Sequence, residues 1–234
     1  MEDHRQYKTR VTKAMRALPR DHFIEMSDSS LVLGRSIPPT NAVSEILEHA
    51  DVGADSKVLH IGTGAGYVTA LLSKLAAQVI SIENNPSNAR FAQARFNQLG
   101  LANLILREQD GCDGAPDLGP FDRILISSPK VKTSATLLQQ LATGGVLIAL
   151  ESGENGTHIL TRYEVSELGA TLRRELAMVD FSRDTGMTLL DMGMVDQVML
   201  SEARRIARYK KLPIINVLRD KLNMEDTVLY RRLA

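Results

Sequence analysis

Residues 57–67 read KVLHIGTGAGY, an apolar run that ends in alternating glycines at Gly62, Gly64 and Gly66. The run predicts a strand, and the glycines predict a turn whose bare backbone can approach a bound ligand. After the turn, Val68, Leu71, Leu72 and Leu75 recur at helical spacing. VISIE then forms a second strand that carries Glu83 at its tip. Glu83 follows the turn by about twenty residues, the separation at which an acidic side chain accepts hydrogen bonds from ribose hydroxyls in a nucleoside-binding βαβ unit. A purely structural glycine turn is the alternative; the strand, helix and Glu83 in register favour nucleoside binding.

The spacing also discriminates among nucleosides. A dinucleotide fingerprint places a third glycine where this chain has Tyr67, because a pyrophosphate must come close to the backbone at a helix N-terminus. The order G-x-G-x-G-Y therefore argues against nicotinamide and flavin and suits S-adenosylmethionine, which has a ribose and an amino acid but no phosphate.

The chain has 234 residues, enough for one α/β domain and an appendage. Lysine and arginine number 28 against 28 acids, so no overall charge points to nucleic acid or an anionic membrane. The balance is uneven: from Ser201 onward nine basic residues face four acids, net +5, and the remainder is −5. That tail reads either as a solvated helical surface or as a docking face for an acidic partner. No run approaches the length of a membrane span, and MEDHRQYKTR has no signal-peptide core, so a soluble cytoplasmic protein is expected. The single cysteine, Cys112, excludes an internal disulfide and a cysteine metal cage; no metal site is expected, and no neighbouring base suggests an activated thiol.

Periodicity predicts helices over 7–20 and 40–50, the second opened by Thr40, with an irregular loop between them. Strands at 57–61, 79–83, 103–107, 122–127 and 145–150 alternate with helices at 68–77, 86–99 and 133–142. Segments 157–163 and 174–181 read as an antiparallel edge hairpin. The expected fold is α/β: a doubly wound, mostly parallel sheet closed by that hairpin, in a domain spanning about 1–190. Residues 196–234 form a separate helical module, with Met199, Ala203, Ile206 and Ala207, then Ile214, Val217, Leu218 and Leu222, then Val228, Leu229 and Leu233 at helical spacing. Three short helices bury little alone, so the module is expected to pack on its own domain, a second copy or a protein partner.

RALPRDHFI (16–24), VLHIGTGAGYVTALLSKL (58–75), DGCDGAPDLGPFDRILI (110–126) and LLQQLATGGVLIAL (137–150) together resemble the protein-L-isoaspartate O-methyltransferases, across about residues 11–185. The resemblance implies a class I, Rossmann-like methyltransferase that uses S-adenosylmethionine to methylate carboxylates of isoaspartyl residues in a protein or peptide substrate. It places Gly62, Thr63, Gly64, Gly66 and Tyr67 around the methionine and ribose, Glu83 with adjacent Asn84 at the ribose hydroxyls, and Asp110 and Gly111 at the adenine. Asp110-Gly111 also reads as a plain turn. The tail is outside this resemblance and faintly resembles the small helical N-terminal module of type II secretion ATPases.

Three departures bear on the substrate side. The family loop G-Q-T-I-S-Q-P, whose serine lies beside the substrate carboxylate, is Gly34-Arg35-Ser36-Ile37-Pro38-Pro39-Thr40 here. Proline at 38 offers neither hydroxyl nor N–H, which leaves Ser36 as the candidate catalytic hydroxyl, with Arg35 and Thr40 nearby. His60 stands where methyltransferases carry an acidic residue, and reads as a hydrogen-bonded structural histidine rather than a base. Val179-Asp180-Phe181-Ser182-Arg183-Asp184 replaces a hydrophobic segment. These changes lead to an expectation of low or absent isoaspartyl turnover, and to two rivals: methylation of another acceptor such as RNA, and a cofactor-binding pseudoenzyme acting through its tail.

Overall fold

Among the described residues, seven strands lie in one sheet, in the spatial order third, second, first, fourth, fifth, sixth, seventh along the chain. The computed structural model describes residues 4–23, 40–128, 131–152, 158–166, 170–179, 197–210, 217–218 and 220–221. The strands are β1 Lys57–Ile61, β2 Gln78–Glu83, β3 Leu104–Glu108, β4 Phe121–Ile126, β5 Leu141–Ser152, β6 His158–Val165 and β7 Thr171–Val179. The first five are parallel, and β6 and β7 run antiparallel to their predecessors as the expected edge hairpin. From β1 the chain moves outward to β2 and β3, then returns to β4 on the other side of β1. Open α/β sheets take their ligands at such a reversal, which lies here between β1 and β4.

The central strands are apolar on both sides because both sides are covered. Val58, Val79, Leu125, Val146 and Ile148 belong to a core with α1 (His4–Ala17), α2 (Thr40–Ala50), α3 (Tyr67–Leu75) and α4 (Pro86–Gln98). Leu59, Ile61, Ile80, Ile82, Ile124 and Ile126 face the opposite way, against the single turn α5 (Ala135–Leu138) and a 3-10 turn at Pro116–Leu118. Helical cover is thus deep on one face and thin on the other among the described residues.

The helix expected over 133–142 shrinks to Ala135–Leu138, and β5 begins at Leu141. Tertiary contacts override its periodicity. Gln140 donates to the carbonyls of Asp113 at 2.8 Å and Thr136 at 3.0 Å and accepts from the Ala115 N–H at 2.8 Å, which ends the helix against the loop before β4. The first helix begins at His4 and stops at Ala17, before Pro19; Tyr7 is fully buried in it and donates to the Leu47 carbonyl at 2.6 Å. Arg123 binds the carboxyl end of α2, its Nε 2.7 Å from the Ala50 carbonyl and its Nη2 2.8 Å from that of Asp51.

In the tail, α6 (Gln197–Lys210) matches the first expected helix. Ala203 and Ala207 are buried in it, as are Val217 and Leu218 beyond it, and Lys221 pairs with Glu202 at 2.7 Å. The third expected helix, containing Val228 and Leu229, lies outside the described residues, as do Arg35, Ser36, Pro38, Pro39 and the segment from Asp180 to Asp184. No helix among the described residues is long and apolar enough to cross a membrane.

Candidate active site

Strand β1 ends at Ile61, and the next residues leave the sheet through left-handed glycines: φ is +96° at Gly62, +56° at Gly64 and +95° at Gly66. Two of these glycines are required first by packing. A Cβ on Gly62 would lie 2.8 Å from the Ser128 nitrogen at the end of β4, and one on Gly66 would lie 2.8 Å from Cε1 of Phe96 in α4. The turn is therefore clamped between β4 and α4, with its backbone fixed before any ligand arrives. Gly62 and Thr63 both donate to the Ile82 carbonyl, at 2.9 and 3.2 Å, which ties the turn to the end of β2.

Glu83 completes that junction. Its Oε2 accepts from the Gly64 N–H at 2.8 Å and its Oε1 from the Asn85 N–H at 2.9 Å. The side chain is buried, and Asn85 caps α4 by accepting from Ser87 N–H at 2.9 Å and Asn88 N–H at 3.3 Å. A carboxylate has about four acceptor positions, so two bonds leave capacity for the vicinal hydroxyls of one ribose. The free acceptor positions of Glu83 fit an uncharged diol, and the described residues around them include no cluster of cations for a pyrophosphate.

The other expected site residues gather around this junction with different roles. Thr63 is buried with its hydroxyl 2.6 Å from that of Ser81. Tyr67 opens α3 with its ring packed on Phe23, centroids 5.4 Å apart, and burial raises its pKa. Asn84 is exposed at the bend before α4. Asp110 holds a turn, accepting from the Cys112 N–H at 2.8 Å, and that bond lowers its carboxyl pKa. Gly111 lies against the end of β1, where a Cβ would come 2.3 Å from Ile61 Cγ2. Cys112 is exposed and unpaired, and the neighbouring Asp110 raises its pKa, the opposite of an activated thiol.

His60 is structural, as expected, and more connected than a lone histidine. It is fully buried, with Nδ1 2.8 Å from Thr69 Oγ1 and Nε2 2.9 Å from Ser127 Oγ. Thr69 Oγ1 continues to Ser81 Oγ at 3.2 Å, and Ser81 to Thr63 at 2.6 Å. Burial lowers the imidazole pKa from 6.5 to about 4. The chain of polar groups joins the ends of β1, β2 and β4 to the first turn of α3. Ser81, Thr69 and Ser127 were not singled out from sequence; a lone serine inside the apolar run VISIE was the available signal.

A sheet of this order with a glycine turn after β1 and an acidic residue at the end of β2 has the class I, Rossmann-like methyltransferase fold, and solved structures share it. One, a protein-L-isoaspartate O-methyltransferase, superposes with TM-score 0.62 at 21% identity over 77% of this chain and 60% of that chain. Another, a putative protein-L-isoaspartate O-methyltransferase from Plasmodium falciparum in complex with S-adenosyl-L-homocysteine, gives 0.53 at 18% identity over 75% of this chain and 96% of that one. Within that class, the chain belongs to the protein-L-isoaspartate(D-aspartate) O-methyltransferase family, whose model matches residues 1–185. Similar curated proteins bear the same name: one from Syntrophobacter fumaroxidans is 39% identical over 148 residues, 59% of this chain and 69% of the relative. One from Xanthobacter autotrophicus is 35% identical over 180 residues, 73% of this chain and 82% of the relative.

Proposed function

We propose that this protein is an S-adenosylmethionine-dependent carboxyl methyltransferase that esterifies isoaspartyl residues of a protein or peptide substrate. The observation that carries the reading is Glu83: buried at the switch point of a family member, it holds the glycine turn by one oxygen and the start of α4 by the other. In this reading Glu83 and Asn84 receive the ribose, the backbone of Gly62, Thr63, Gly64 and Gly66 lies along the methionine, and Asp110 with Gly111 borders the adenine. Bound S-adenosylmethionine supplies a methyl group on a sulfonium, which an anionic carboxylate takes without a general base. The protein's task is then alignment and exclusion of water. That task suits the described site residues, which include no acid–base dyad; the substitutions at 38 and 60 that favour a pseudoenzyme leave the glycine turn and Glu83 intact, and the curated relatives are named for a protein acceptor rather than RNA.

We also propose that residues 1–190 and 196–234 are separate units and that the second associates with another subunit or with a protein partner. The family match ending at 185 and the basic excess of the tail support this. A cytoplasmic location accords with the unpaired Cys112.

Calorimetric titration with S-adenosylhomocysteine tests the cofactor site. One site per chain is expected, with affinity weakened by about 1–3 kcal/mol in Glu83→Ala, the worth of hydrogen bonds to a charged group. Undiminished affinity in that variant removes Glu83 from the site.

A further inference from the structure

We propose that Ser127, oriented by His60, is the hydroxyl that positions the carboxylate of the methyl acceptor. The proposal rests on the methyl-transfer reading above and adds a residue to its acceptor side.

Ser127 is the first residue after β4, and its N–H donates to the Ile61 carbonyl at 2.9 Å, which pins it beside the glycine turn at the switch point. It is half-buried, while the imidazole behind it is fully buried. By the alternation along β4, its side chain shares with His60 the face covered by α1, α2 and α3. The N-terminal elements that border the turn lie on that face: Phe23 packs on Tyr67, and Arg20 donates to Thr40 Oγ1 at 3.0 Å.

Proton counting shows what His60 does for this hydroxyl. The low pKa keeps the imidazole neutral, so it has one N–H donor and one acceptor. In one tautomer Nε2–H donates to Ser127 Oγ, and the serine O–H is released to donate outward. Nδ1 then accepts from Thr69, and Ser81, which accepts from Thr63, gives its own proton to Thr69 at 3.2 Å or to the His60 carbonyl at 3.4 Å. In the other tautomer the Ser127 O–H is spent on Nε2, and its oxygen offers only lone pairs. A carboxylate is an acceptor only, so it selects the first arrangement.

The two ring nitrogens are separable by substitution. His60→Gln reaches the Nε2 position and keeps a donor for Ser127; His60→Asn reaches only the Nδ1 position and keeps Thr69. The experiment measures kcat and KM on an isoaspartyl peptide, the affinity of that peptide in the presence of S-adenosylhomocysteine, and the affinity for S-adenosylhomocysteine itself. Ser127→Ala and His60→Asn should each weaken peptide binding and kcat/KM by about ten- to hundredfold, the range for losing a hydrogen bond to a charged group. Both should leave the S-adenosylhomocysteine affinity within about twofold, the double variant should be no worse than the singles, and His60→Gln should recover most of the loss. Full peptide affinity and kcat/KM in Ser127→Ala, or equal damage in His60→Gln and His60→Asn, overturns the proposal while leaving the methyltransferase reading intact. If a His60 variant loses cofactor binding, Ser127→Ala alone decides. A wild-type protein that neither binds nor methylates the peptide overturns both, and its own missing turnover marks that case.

Discussion

Acid should weaken this fold through His60, in a pH range set by its burial. An exposed histidine takes up a proton near pH 6.5, whereas His60 in the folded chain resists until about 4, because burial disfavours the imidazolium. Between those values the unfolded chain binds more protons than the folded one, so stability falls as pH falls through the window. Above 6.5 the contribution is complete, and below about 4 no more is lost. At ~1.4 kcal/mol per unit the whole window is worth about 3 kcal/mol, and about 2 kcal/mol is gone at pH 5. For a domain this size the loss is a large fraction of total stability. Urea unfolding followed by circular dichroism at pH 8, 6.5 and 5 measures it, with His60→Gln as reference. His158, which burial also shifts downward, contributes with the same sign, so the difference between wild type and variant isolates His60. Parallel loss of stability in the two proteins would show that His60 does not set the acid sensitivity.

Other perturbations follow from the same contacts. Gly66→Ala places a Cβ 2.8 Å from the Phe96 ring on a left-handed backbone and should cost about 2–5 kcal/mol, read as a lower urea midpoint; an unchanged midpoint shows that the turn is not clamped by α4. Arg123→Ala strips the carboxyl end of α2 of its donors and should cost about 1–3 kcal/mol, with hydrogen exchange rising first in that helix. Truncation after Gly193 should change the oligomeric state by light scattering or abolish capture of a partner, with S-adenosylhomocysteine affinity retained; identical behaviour of the short chain reduces the tail to a cap on its own domain.

The βαβ unit was legible in the sequence because its signals are local: an apolar run, three glycines and an acidic residue at the right separation. The edge hairpin was legible for the same reason. The helix ending at Leu138 was not, since what stops it is Gln140 reaching a loop more than twenty residues earlier in the chain. The glycines were found, yet part of their reason was hidden: Gly62 and Gly66 make room for Ser128 and Phe96, distant residues that only the fold brings together. Likewise His60 read as a structural histidine, but its partners Thr69 and Ser127 lie nine and 67 residues away, and no spacing rule links them. Asp110 could be read two ways, and its hydrogen bond to Cys112 N–H shows the turn while leaving the adenine role to experiment.

Methyl transfer to a protein carboxylate is read out with a pair of peptides. The two have identical sequence, one with an isoaspartyl and one with a normal aspartyl linkage, and each is incubated with the protein and S-adenosylmethionine before mass spectrometry. A base-labile methyl ester should form on the isoaspartyl peptide alone, and more slowly with Ser127→Ala. Cofactor binding with no ester on either peptide would contradict it.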